Sequence, residues 1–328
     1  MRAVFIKEFG GTENLEIREV ADPPPPTKGE VLVRVKAAGL NRADLLQRRG
    51  LYPAPEGYPQ QIPGMEFSGI VEEAGDGSAF DMGTRVFGII AGGAQAEKIL
   101  IDERHIAAVP DELGLTEAGG IPEVFITAHD AVFSQAGLAA DETLLVHAAG
   151  SGVGLAAVQL AAARGNRVIG TSRTASKLER AREFGLEDAV VVGDDGAFAD
   201  EVLRMTDGRG VDVILDLVGG KYFPDNLKSL ATRGRIMCVG LTAGARSEID
   251  LGMLLSKRAR VIGTTLRARD AYEKAEAVAA FAREVVPLFA AGKLSANIDR
   301  VFPMDKIRDA HEYLESNESF GKVVLGVS

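Results

Sequence analysis

The chain has 328 residues, a single cysteine at position 238, and 37 basic against 47 acidic side chains, for a formal net charge of −10. That length accommodates about two domains of roughly 100 to 200 residues each, and one cysteine excludes both an intrachain disulfide framework and a multi-cysteine zinc site, as suits a reducing cytoplasm. An acidic balance without a block of like charge argues against nucleic-acid or membrane-surface partners, which leaves a small soluble molecule as the expected partner.

The opening MRAVFIKEFGG meets Lys7 and Glu8 too early to hold a signal-peptide apolar region. In EVLVRVKAAGLN, Val31, Val33 and Val35 share one face and Leu32, Arg34 and Lys36 the other, the period-two pattern of a half-buried strand. FSGIVEEAG, TRVFGIIAGG and AEKILI repeat that texture, so the first third reads as a small β-rich barrel or sandwich. Pro23 to Pro26 supply no backbone donors and predict a stiff connector.

From about residue 120, short apolar strands alternate with amphipathic helical spacing. The predicted strands are Thr143 to His147, Arg167 to Thr171, Ala189 to Val192, Val211 to Leu215, Arg235 to Val239 and Val261 to Thr264. Six such strands with intervening helices predict a doubly wound α/β parallel sheet. The segment Leu144 to Ala163 is uncharged over about the 20 residues a membrane helix needs, yet Gly150, Ser151, Gly152 and Gly154 sit at its centre, which suits a strand, a turn and a helix instead. The last 60 residues break the rhythm: one long helix from Ala271 to Ala291, then the strand-like KVVLGV, with no further strand-helix unit expected. The expected division is a β-rich domain over residues 1–122, a dinucleotide domain over 123–265, and a return to the first domain over 266–328.

TLLVHAAGSGVGLAAVQLAAARG carries the glycine turn. Gly152, Gly154 and Ala157 satisfy G-x-G-x-x-A after a strand and at the head of a helix, the context in which backbone N–H groups and the helix dipole meet a pyrophosphate. Counting about 20 residues on, to where an NAD site carries an acid, reaches Ser172 with Arg173 and Lys177 next, and no carboxylate until Glu179. Cations there suit a 2′-phosphate, whereas an acid about 4 Å away would cost about 4 kcal/mol at an effective dielectric near 20. The pattern predicts NADPH rather than NADH, the alternative being that Arg173 and Lys177 only begin a solvated helix.

A β-rich domain, a dinucleotide domain and a chain return resemble the medium-chain dehydrogenase/reductases over essentially the whole length. Within that superfamily, LNRADLLQRRGLY, GMEFSGIVEEAG, PEVFITAHDAV, HAAGSGVGLAAVQLA, ILDLVGG and FGKVVL resemble the zeta-crystallin-type NADPH:quinone oxidoreductases, closest to the p53-inducible quinone oxidoreductase branch. The resemblance implies a Rossmann domain, a discontinuous GroES-like β-barrel domain, and a cytoplasmic homodimer. Zinc-using members carry a Cys near the segment reading GLNRAD and a Gly-His-Glu where this chain has Gly64, Met65 and Glu66, so a catalytic zinc lacks its soft ligands here. His105, His129, His147 and His311 show no metal-ligand spacing and read as solvated or structural.

By the same resemblance, Asn41 and Tyr52 hold the acceptor, with Arg42 as a nearby cation and Thr127 beside the nicotinamide. Ser151, Gly152, Val153 and Gly154 face the pyrophosphate, Ser172, Arg173 and Lys177 the 2′-phosphate, and Val239, Gly240, Leu266, Phe320 and Lys322 complete the cofactor cleft. Structural alternatives stand beside these: Asn41 as a turn residue, Tyr52 as a wedge before Pro53, Arg42 as a surface ion-pair member, Thr127 as a cap. Without a Lewis acid, the expected substrate is a quinone, whose carbonyls delocalise the incoming charge, or alternatively an enone or enal. A second alternative is an NADPH-binding sensor or crystallin-like protein without turnover. Three departures bear on these expectations: Ser151 stands at the family's middle turn glycine, and Val192 and Leu46 stand where relatives often have tyrosine.

Overall fold

The computed structural model describes residues 1–327, which divide into two compact units, one made of 1–126 with 266 onward and the other of 127–265. In the first unit the strand Glu30–Leu40 is central. It pairs antiparallel with Glu66–Ala74, Lys98–Asp102 and Lys322–Gly326, so the end of the chain joins the sheet that the beginning starts. Val31, Val33 and Val35 are buried as their alternation requires, and they pack with Phe67, Val71, Val86, Ile99 and Val323 in one core. Arg85–Ile89 and Ile106–Ala108 extend one side of the sheet.

The second unit is a six-stranded parallel sheet. Its spatial order is Asp188–Val191, Arg167–Ser172, Thr143–Val146, Val211–Asp216, Leu230–Cys238, Arg260–Gly263, which in chain order is third, second, first, fourth, fifth, sixth. This is the doubly wound dinucleotide order, with the first and fourth strands adjacent where the winding reverses. The four residues of Thr143–Val146 are all buried because helices cover both faces of a parallel sheet.

Three sequence expectations need correction. The fifth strand begins at Leu230 rather than Arg235, because Val211 pairs with Leu230 and Val213 with Arg235, and the intervening residues loop out around Arg233 at φ 66°. The long helix from Ala271 to Ala291 is two helices, Ala271–Glu284 and Val286–Ala290, parted where Pro287 removes an N–H and obstructs the preceding turn. The tail does hold a further strand-helix unit: Ile298–Pro303 pairs parallel with Lys322–Gly326, joined through the helix Ile307–Glu315. That strand is at a sheet edge and carries Asp299 and Arg300 with Val301 47% exposed, so it shows no clean alternation.

Candidate active site

In the first unit a buried polar cluster forms where Glu30–Leu40 hands over to the helix Arg42–Arg48. The register that pairs Val323 with Leu40 sets Lys322 beside the strand's end. The Lys322 ammonium, 3% exposed, donates to Leu40 O (2.7 Å) and Asn41 Oδ1 (2.8 Å) and forms an ion pair with Glu66 Oε1 at 2.6 Å. Asn41 Nδ2 donates to the same Glu66 oxygen at 2.9 Å, and the Glu123 backbone N–H donates to the other at 3.0 Å. Glu66 is wholly buried, so its charge is tolerated only because a cation and two N–H donors surround it. Its seat also depends on Gly39, where a Cβ would lie 2.3 Å from Glu66 Oε1.

Asp44, also wholly buried, accepts from Asn41 N (2.8 Å) and Gly64 N (2.9 Å) and so fixes both the start of the helix and the approach to Glu66. Burial pushes its carboxyl up to about 6, although these N–H groups, Arg267 and Lys322 all oppose the shift. Arg267, 5% exposed, donates to Ala91 O (2.7 Å), Tyr52 O (3.1 Å) and Gln47 Oε1 (2.5 Å), and its guanidinium carbon lies 5.1 Å from the centre of the Tyr52 ring. Tyr52 is thereby held by its backbone while its ring stays partly exposed. Burial, followed by the Glu66 carboxylate, pushes the partly accessible Glu123 carboxyl up to about 8.

In the second unit the strand Thr143–Val146 leads into the turn and the helix Gly152–Ala163. Ser151 is the N-cap: its Oγ accepts from Gly154 N at 3.1 Å, a bond that a glycine at this position could not make. Gly154 permits the close crossing of helix and strand, since a Cβ there would lie 2.4 Å from Ala148 O. Capping accounts for one of the first-turn N–H groups, and those of Gly152 and Val153 have no acceptor within the helix. These groups and the positive helix end fit a pyrophosphate. Replacing Ser151 by Ala is expected to cost about 1 kcal/mol, and by Gly only a few tenths; denaturant unfolding of the three proteins checks this, and equal midpoints would refute the cap.

At the next strand's end, Ser172 Oγ accepts from Thr174 N at 3.1 Å, Arg173 is exposed, and Lys177 is partly exposed in the first turn of the following helix. Arg173 makes no ion pair among the described residues. Val239 and Gly240 follow the fifth strand, and both donate their N–H to Asp216 O, at 2.9 and 3.1 Å. Asp216 is itself anchored from below. Its carboxylate accepts from Val218 N, Gly219 N and Asn226 Nδ2, and Asn226 Oδ1 lies 2.5 Å from His147 Nε2, whose other nitrogen lies 2.8 Å from Thr171 Oγ1. His147 is a buried structural residue whose pKa burial lowers, and the network shapes the carboxyl ends of three strands, where open α/β sheets place ligands.

The structure thus gathers Asn41, Tyr52 and Lys322 in one unit and Ser151 to Gly154, Ser172, Arg173, Lys177, Val239 and Gly240 in the other. Thr127 is partly exposed on the helix Pro122–His129. Arg42 is exposed and donates to Asn317 Oδ1, outside the Glu66 cluster. Phe320 and Leu266 are buried, and the three donors of Lys322 are all engaged within its own unit. Sequence reasoning missed Asp44, Glu123 and Arg267. Asp44 had a signal, as the third residue of a helix headed by Asn41. Arg267 had none, since its partners lie far away along the chain. Among the described residues no three His, Cys, Asp or Glu side chains gather as metal ligands, and no helix is long and apolar enough to cross a membrane.

Residues 27–135 match the alcohol dehydrogenase GroES-like domain family, and 152–282 the zinc-binding dehydrogenase family. The chain is 31% identical over 329 residues to the quinone oxidoreductase of Rattus norvegicus, covering 99% of this chain and 97% of that one. Solved structures similar over the whole chain include an NAD-dependent alcohol dehydrogenase (TM-score 0.88, 30% identity, all of that chain) and a mycobacterial protein complexed with NADPH (0.88, 29%, all of that chain). The enoyl reductase CurK is a third (0.85, 27%, 99% of that chain).

Proposed function

The chain belongs to the quinone oxidoreductase family of the medium-chain dehydrogenase/reductases, and from that premise we propose that it is a cytoplasmic NADPH-dependent enzyme reducing a quinone without a metal ion. NADPH, when bound, supplies the hydride. Ser151, Gly152, Val153 and Gly154 would hold its pyrophosphate, Ser172, Arg173 and Lys177 its 2′-phosphate, Val239 and Gly240 its nucleotide side, and Thr127 its nicotinamide. The observation that carries the cofactor choice is Arg173, exposed and without a carboxylate partner, at the position where an NAD site would present an acid.

On the acceptor side, Asn41 and Tyr52 would bind the quinone, with Leu46, 38% exposed, offering an apolar edge. Lys322 is a positioning residue: by holding Asn41 Oδ1 and Glu66 together it fixes the direction of the amide that would meet the acceptor. The similarity to an enoyl reductase supports an enone or enal as the second reading. NADPH oxidation assayed with ortho- and para-quinones beside an alkenone series separates the two: quinone turnover is expected, alkenone turnover with inert quinones assigns the second reading, and tight NADPH binding without turnover assigns a sensor.

The same reading takes the protein as a homodimer joined at the edge of the six-stranded sheet. Among the described residues Arg260–Gly263 has a strand partner on one side only, and Val261, Leu251 and Leu255 are 43%, 63% and 76% exposed. A row of unpaired backbone groups beside apolar side chains fits a second copy of itself across a two-fold axis. Light scattering is expected to give a dimer that Leu255→Asp with Val261→Glu converts to monomer; a monomeric wild type refutes it.

A further inference from the structure

Glu123 stands apart from the other two acids of the buried cluster, Asp44 and Glu66. It lies in the first turn of the helix Pro122–His129, partly accessible, and its backbone N–H rather than its carboxylate is what binds Glu66. Its carboxylate makes no hydrogen bond or ion pair among the described residues, while the neighbouring acids Asp44 and Glu66 are each held by two or more donors. The charged and titratable groups that act on it are Glu66, Asp44, Lys322 and Arg267, and it acts in turn on Tyr52 and on the buried Lys274. It is therefore an unpaired carboxyl on the residue whose backbone N–H binds one oxygen of Glu66 while Asn41, to which the acceptor is assigned, binds the other.

We propose that Glu123 is the proton donor of the reaction, delivering its carboxyl proton to the oxyanion of the reduced acceptor. This rests on the quinone-reductase reading and adds to it the group that completes the chemistry. Two electrons and one hydrogen reach the quinone as hydride from the reduced nicotinamide, leaving a hydroquinone monoanion. The Glu123 O–H bond then breaks as a new O–H bond forms on that oxygen, the carboxylate keeps the electron pair, and water restores its proton before the next turnover. With its ionisation raised to about 8, Glu123 carries that proton at neutral pH, and the opposing pulls of Lys322 and Arg267 keep it from being permanently neutral. Glu66 sustains this state by disfavouring a second negative charge next to its own.

The test uses the NADPH-loaded enzyme and the full chain, comparing wild type with Glu123→Gln after NADPH fluorescence titration has shown that the variant folds and binds cofactor. Infrared spectroscopy of the wild type is expected to show a protonated-carboxyl band that fades as pH rises through about 8 and is missing from the variant. The kcat for a quinone is expected to fall in wild type above the same pH, because the acid form is lost, and to be roughly 100-fold lower and flat with pH in Glu123→Gln. A variant that keeps the wild-type kcat and pH profile overturns the proton donor while leaving the quinone-reductase reading intact. A wild type without the band overturns it even if the variant does not fold. A wild type that reduces no quinone overturns the underlying reading, and this proposal with it.

Discussion

Arg173→Glu is expected to lower kcat/KM for NADPH by about 100-fold and to leave kcat/KM for NADH within a few-fold of wild type. The effect is electrostatic. Arg173 offers charge-assisted hydrogen bonds to a 2′-phosphate, and a carboxylate in its place converts attraction into repulsion. A pair at about 4 Å interacts by about 4 kcal/mol at an effective dielectric near 20, and salt reduces that for a group as exposed as this one. About 3 kcal/mol survives, which is about a hundredfold at 1.4 kcal/mol per decade. NADH carries hydroxyl where NADPH carries phosphate, so it does not feel the change. Steady-state kinetics with both cofactors in both proteins checks this, and equal losses for the two cofactors would remove Arg173 from the phosphate site.

The second large effect is on stability. Lys322→Met leaves Glu66, wholly buried, without its cation, and removing one member of a buried ion pair costs about 3 to 5 kcal/mol. Adding Glu66→Gln removes the stranded charge and keeps one oxygen, which can accept from Asn41 Nδ2 or from the Glu123 N–H but not both, so the double variant is expected to recover part of the loss. Chemical unfolding of the two single variants and the double variant closes the cycle. Additive losses would mean that the two side chains do not depend on one another, and the account of how Asn41 is oriented would fall with that result.

The alternating valines of Glu30–Leu40 and the six apolar strands were legible in the residues, because period two and short buried runs follow from how sheets are covered. The glycine turn was equally legible, and the structure supplies a physical role for Ser151 within it, as the cap of the helix Gly152–Ala163. What sequence spacing could not give was anything set by long-range closure. Lys322 reaches Asn41 only because the chain's last strand pairs with Glu30–Leu40, and Arg267 reaches Gln47 and Tyr52 across more than half the chain. The strand Ile298–Pro303 escaped for a different reason: an edge strand with charges at its middle does not show the alternation by which strands are found. Glu123 showed nothing in sequence, because its unusual ionisation arises from burial and then from Glu66 rather than from any motif.

The most direct test of a metal-free, NADPH-dependent quinone reductase is kcat/KM for a single para-quinone with NADPH and with NADH, after exhaustive dialysis against a chelator and metal analysis of the dialysed protein. The account predicts undiminished turnover in the metal-stripped protein and at least a tenfold preference for NADPH. Turnover that disappears with the metal and returns with zinc, or a preference for NADH, would contradict it.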